Sequence, residues 1–208
     1  MSATLRETLV NLTREKAPGP SASYSIPHLL LFLELVASKS AGRSKLAEEL
    51  EVGEGVMRTI IGRLKDDELI ETSKKGCSLT EKGLRLWKEY RSIAQKTEIE
   101  KNELTFADYS FAILIRDSAD KVRSGMEQRD AAVMTGAKGA TTLLFKNGHL
   151  MLPSTSRNVA KDFPTAINQI GRLLKPKEND VIIIVSSDDR KRAEFGVLAA
   201  VWTLLNDR

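Results

Sequence analysis

Met57, Ile60, Ile61 and Leu64 stand at i, i+3, i+4 and i+7, which demands a helix with one apolar stripe to bury. A lone helix cannot hide that stripe, so its neighbours in the chain must supply the cover. Upstream, residues 26–39 read as an apolar helix with Leu30, Leu33 and Val36 or Ala37 on one face, broken off at Gly42. Ser44 is the expected cap of a brief helix running to Leu50, with Glu48 near the third position behind it. A tight Val52-Gly53 turn then leads into the helix of the stripe. Downstream the period changes from 3.6 to 2. Residues 69–73 and 77–79 read as strands about a Lys74-Lys75-Gly76 turn, and Thr80 caps another helix carrying Leu84 and Trp87.

The run SKLAEELEVGEGVMRTIIGRLKDDELIETSKKGCSLTEKG, residues 44–83, resembles the winged helix-turn-helix family. Each piece is common alone; their order and spacing carry the resemblance. It implies double-stranded DNA as a partner, with the stripe-bearing helix as the reading helix and the hairpin as the wing. With the stripe turned inward, that helix presents Gly55, Arg58, Thr59, Gly62 and Arg63 outward. Arginines reach phosphates or the guanine edge, and Thr59 can bond base or backbone. Glycines are poor helix formers, but on an exposed face they leave room for a phosphate backbone. Arg43, Ser44 and Lys45 at the start of the second helix, with Lys74 and Lys75 on the wing, extend the basic surface. Only Glu54 is acidic on this face; Asp66, Asp67 and Glu68 lie beyond its far end. Taken singly, each arginine reads more readily as a solvated charge; as a set on this frame they read as DNA contacts. A neutral or acidic face would instead have favoured a protein-interaction scaffold.

The 208 residues suit two small domains better than one large one. The expected division is an N-terminal helix and linker at 1–22, a winged-helix domain at 23–96 and an α/β domain at 104–208. The polar, charge-dense stretch 96–104 marks the boundary. In the first of these, Leu5, Leu9 and Leu12 define a short amphipathic helix over 4–16, stopped by Pro18-Gly19-Pro20-Ser21. The net charge of +4 and pI of about 9.1 are a mild lean toward nucleic acid, which needs a local basic face rather than a basic whole. One cysteine, Cys77, excludes an internal disulfide framework and suits a reducing compartment. The apolar stretch 26–37 is broken by Pro27, His28 and Glu34 and is too short for the ~20 residues of a membrane span. Residues 1–16 carry Glu7 and Glu15 and no apolar leader core, so a cytoplasmic protein without a membrane partner is expected.

Beyond residue 104, strands are expected at 110–115, 141–145, 150–152 and 181–185. The second and third flank Lys146-Asn147-Gly148, a hairpin turn pattern. The β-branched run 181–185 suits a strand buried on both faces. Helices are expected at 118–128 and 163–174, and a last one capped by Asp188 or Asp189 and bearing Phe195, Leu198, Ala199, Trp202 and Leu205. The class is therefore α+β: a winged helix followed by a small α/β domain. The block SGMEQRDAAVMTGAKGATTLLFKNGHLMLPS, residues 124–154, resembles a group of archaeal winged-helix proteins with such a C-terminal domain. That resemblance implies regulator architecture but names no effector.

The small-residue stretch 136–142 can present backbone N–H groups to a phosphate or carboxylate, with Lys138, Gly139, Thr141 and Thr142 as the candidate contacts for an anionic effector. Ser186 and Ser187 would join them if their strand lies alongside. The same glycines serve equally well in a tight turn, and the domain equally well in pairing subunits. A homodimer is expected, with the helices of Leu5–Leu12, Leu84–Trp87 and Phe195–Trp202 as candidate contacts. His28 and His149 show no metal or nucleophile spacing, so neither catalysis nor a cofactor is expected. The alternative is a small-molecule enzyme with a winged-helix appendage.

Overall fold

The computed structural model describes residues 3–14, 23–153 and 158–205 and divides the chain into two compact units, Met1–Arg91 and Ser92–Arg208. The Pro18–Ser21 linker and Ser154 lie outside the described residues.

The first unit holds α1 (Ala3–Thr13), α2 (Ile26–Ser38), α3 (Arg43–Glu49), α4 (Glu54–Asp66), the hairpin β1 (Ile70–Ser73) and β2 (Gly76–Leu79), and most of α5 (Glu81–Ile93). This is the helix-turn-helix and wing of the sequence reading. Met57, Ile60 and Leu64 are fully buried, while Ile61 is half-buried at the margin of the stripe. They share the core with Leu29, Leu30, Phe32 and Leu33 of α2 and Leu46 of α3, each burial contributing roughly 1.5–3 kcal/mol. Thr80 caps α5 by accepting from Gly83 N–H at 3.1 Å. Gly83 must be glycine, because a Cβ there would fall 1.9 Å from the Leu69 carbonyl.

Two expectations fail here. The cap of α3 is Gly42, not Ser44, so Ser44 lies inside the helix with its hydroxyl free to reach elsewhere. And Leu5, Leu9 and Leu12 are buried within their own unit, so α1 has no apolar face left for a second subunit.

The second unit is a five-stranded antiparallel sheet in the order β3 (Ala94–Ile99), β4 (Tyr109–Ile115), β7 (Val181–Ser187), β5 (Gly139–Lys146), β6 (His149–Met151). The helices are α6 (Met126–Met134), α7 (Pro164–Leu174) and α8 (Arg190–Leu205). Strand β7 is central and buried along its whole length, as its apolar run requires, although its neighbours are antiparallel. Ile182 and Ile184 pack with Ala112, Leu114 and Leu143 against Ala166, Ile170 and Leu174 of α7. Val185 points to the other face, where Gly196 of α8 and Ala132 of α6 close in. At the β5–β6 turn Asn147 and Gly148 adopt φ of 55° and 77°, the geometry that Asn-Gly permits.

The stretch read as a domain boundary begins instead as an edge strand, β3, whose charged residues discourage pairing with other chains. The helix expected over 118–128 is a single 3₁₀ turn, Ala119–Lys121. Gly125, at φ +80°, then breaks the chain before α6. On α8 Leu198, Ala199 and Leu205 are core, while Phe195 and Trp202 are half-buried. In α5, Leu86 and Tyr90 are buried, Trp87 is half-buried and only Leu84 is largely exposed.

Candidate nucleic-acid interface

Glu54, the first residue of α4, accepts two contacts from α3: Arg43 Nε lies 3.0 Å from its carboxylate and Ser44 Oγ donates to it at 3.1 Å. These contacts hold the start of α3 beside the start of α4. Just upstream, Ala41 and Cys77 of β2 exchange backbone N–H···O bonds of 3.2 and 2.8 Å. Residues 41–44 therefore link the wing to the start of α4. The crossing is tight: Gly76 sits at φ +108°, and a Cβ on it would lie 2.4 Å from the Ala41 carbonyl.

From α4, Gly55, Arg58 and Thr59 face solvent, with Gly62 half-exposed on the same side. Thr59 Oγ1 donates back to the Gly55 carbonyl at 3.2 Å. An added Cβ at Gly53, Gly55 or Gly62 would meet nothing within 4 Å. Arg43, Ser44 and Lys45 on α3, and Lys74 and Lys75 at the wing tip, are exposed as well. Lys39 and Ser40, just beyond α2, line a cleft of about 300 Å³ with Gly42 and Lys45 and so border the same surface.

Arg63 does not belong to that surface. Its Nη1 donates to the carbonyls of Leu12 and Arg14 at 2.8 Å each, and its guanidinium lies 5.6 Å from the Tyr24 ring centroid. Tyr24 Oη donates to the same Leu12 carbonyl at 2.6 Å. The last carbonyls of a helix lack partners and carry the negative end of its dipole, so a cation satisfies both needs at the end of α1. No sequence pattern announces this contact, because its acceptors are backbone atoms 49 and 51 residues away.

His28, at the start of α2, accepts Ser25 N–H on Nδ1 at 3.0 Å, taking the place a Glu or Gln holds in a capping box. Burial lowers its pKa to about 4, which keeps that nitrogen an acceptor.

In the second unit the four proposed effector contacts do not converge on an open cradle. The Lys138 ammonium pairs with Asp188, and its backbone N–H donates to the Ser186 carbonyl at 2.9 Å. Gly139 is buried beneath the Phe106 ring, 3.0 Å from where a Cβ would stand. Thr141 and Thr142 alternate across β5 and so face opposite sides of the sheet; the Thr142 hydroxyl is buried without a partner. Ser186 does stand opposite Gly139, but its hydroxyl is engaged by Ser110 at 2.8 Å. Ser187 is likewise buried, with its Oγ accepting Asp189 N–H at 3.3 Å. Open space in this unit lies instead in a cleft of about 390 Å³ lined by Phe145, His149, Leu150, Ile167 and Lys175.

Residues 29–85 match the family model described as PH0730-like, N-terminal domain, and residues 106–204 match a domain of unknown function, DUF4443. The hypothetical protein PH0730 from Pyrococcus horikoshii OT3 superposes with a TM-score of 0.71 at 24% identity, over 88% of this chain and 93% of that one. That likeness establishes the fold. ZitR of Lactococcus lactis aligns at 24% identity over 43% of this chain and 65% of its own, with a TM-score of 0.30. No curated protein matches the sequence.

Proposed function

We propose that this chain is a non-catalytic, sequence-preferring DNA-binding transcriptional regulator of archaeal type that works as a homodimer. The observation carrying this reading is the outward face of α4. Arg58 extends from it into solvent, between two glycines at which an added Cβ would meet none of the described residues within 4 Å. An arginine flanked by bare backbone on a solvent-facing helix suits a groove in which phosphates come close and a base edge is read. Lys45, Lys74 and Lys75 add phosphate contacts around it, while Arg43 is partly neutralised by Glu54. Arg63 acts within this reading as a brace between α1 and α4, not as a DNA contact. One wing reads few base pairs, so two copies on paired half-sites supply the specificity, and subunit pairing falls to the second unit.

Selection of bound duplexes from a random pool, followed by binding titrations on the selected site, tests this. Affinity should fall with salt with a log–log slope of about −0.9 per phosphate neutralised. Arg58→Ala should cost about tenfold or more on the selected site and less on random DNA. Equal loss on both, or none, rejects α4 as the reading helix. Lys74→Ala and Lys75→Ala should weaken all sequences about equally.

A further inference from the structure

The second unit leaves one helix face uncovered. On α6, Met126 is 51% exposed, Val133 40% and Met134 87%, whereas Gln128 and Ala132 bury the opposite side. These three are half of the large hydrophobic residues left exposed among those described, and they sit on a helix of nine residues. Such concentration marks an interaction surface rather than scattered surface apolarity.

The pattern on that face says what fits it. Met126, Arg129, Asp130 and Val133 occupy i, i+3, i+4 and i+7, a single stripe reading apolar, cation, anion, apolar. The stripe is symmetric about the point between 129 and 130. Laid antiparallel on a second α6 about a two-fold axis there, Met126 meets Val133 of the second copy and Arg129 meets its Asp130, each pair occurring twice. Inside one copy the Arg129–Asp130 contact is poor: adjacent residues, 3.5 Å apart, both half-exposed or more. A facing chain offers each a better partner.

We infer that α6 is the dimer seam of this protein, its occupant a second copy of the same helix. The inference deepens the dimeric reading above and rests on it. The apolar face of α1 is consumed as core and that of α8 in large part, with Phe195 and Trp202 half-buried, whereas α6 joins exposed apolar residues to charge self-complementarity.

Sedimentation velocity of the full chain over a micromolar concentration series tests it, using wild type, Arg129→Glu, Asp130→Arg and an equimolar mixture of the two variants. Wild type should sediment as a dimer and each variant as a monomer, because like charges then face each other twice. The mixture should recover the dimer, since the first variant carries acid at both central positions of the stripe and the second carries base at both. Met126→Lys should also give a monomer, and all variants should keep the wild-type far-ultraviolet circular dichroism, their side chains being exposed in a single copy. A monomeric wild type overturns both the seam and the dimeric reading. Variants as dimeric as wild type, or a mixture that stays monomeric, overturn the seam and leave the dimeric reading standing.

Discussion

At Gly55 and Gly62 of α4 an added Cβ meets open space, whereas at Gly136, Gly139 and Gly196 of the second unit it meets Arg192, Phe106 or Val185 at 2.9–3.0 Å. At those three positions glycine lets the protein's own side chains close in, whereas Gly171 of α7 has open space as the α4 glycines do. On α4 none of the described residues uses the room, although each helical glycine costs up to ~1 kcal/mol relative to alanine. Within the proposed function, that space is room for a phosphate backbone.

The largest effect should come from Gly196→Leu, which drives a side chain into Val185, Ala137 and Ala132 where α8 approaches the sheet and α6. Overpacking of this kind should destabilise the second unit by about 3 kcal/mol in denaturant unfolding. A loss below about 1 kcal/mol would mean that Gly196 does not differ from the glycines of α4 as described.

The two arginines of α4 sharpen the contrast. Arg63→Ala removes two charge-assisted bonds to the end of α1 and should destabilise the first unit by about 2 kcal/mol. Arg58→Ala should leave the melting temperature unchanged. A stability loss in Arg58→Ala, with none in Arg63→Ala, would reverse the two roles.

Gly62→Ala should stabilise the first unit by up to ~1 kcal/mol, since the added methyl meets nothing and alanine is the better helix former. The same change should weaken DNA binding by narrowing the approach to α4. An alanine variant that is more stable and binds as tightly would show the space to be unused from outside as well.

The last effect is that of pH. The folded pKa of His28, about 4, lies below the ordinary value of 6.5, so the unfolded chain takes up the proton first. Its contribution is therefore complete above about pH 6.5 and is lost as pH falls toward 4. His28→Gln keeps an acceptor at the cap without titrating. It should flatten the fall in melting temperature over this range; an unchanged pH profile would place the titration elsewhere.

Elements whose pattern is local were legible in the sequence. The α4 stripe, the Asn147-Gly148 turn and the apolar run of β7 each carry their own period or turn chemistry, and each stands where the residues placed it. Strand β3 was not legible, because AQKTEI becomes a strand only by pairing residue for residue with β4. Nor was α6, whose exposed methionine and valine dilute the helical pattern.

Sequence alone therefore determined that a basic, glycine-bearing face follows the turn after α3, and that the apolar run 181–185 is a strand buried on both faces. Tertiary structure alone decided which cations are drawn into contacts within the chain. It set Arg63 on the end of α1, Arg43 on Glu54 and Lys138 on Asp188. The physical reason is that a side chain's burial stripe is written in its neighbours at three and four residues. A cation's partner is whatever carbonyl or carboxylate the fold brings near, and those atoms come from chain far away.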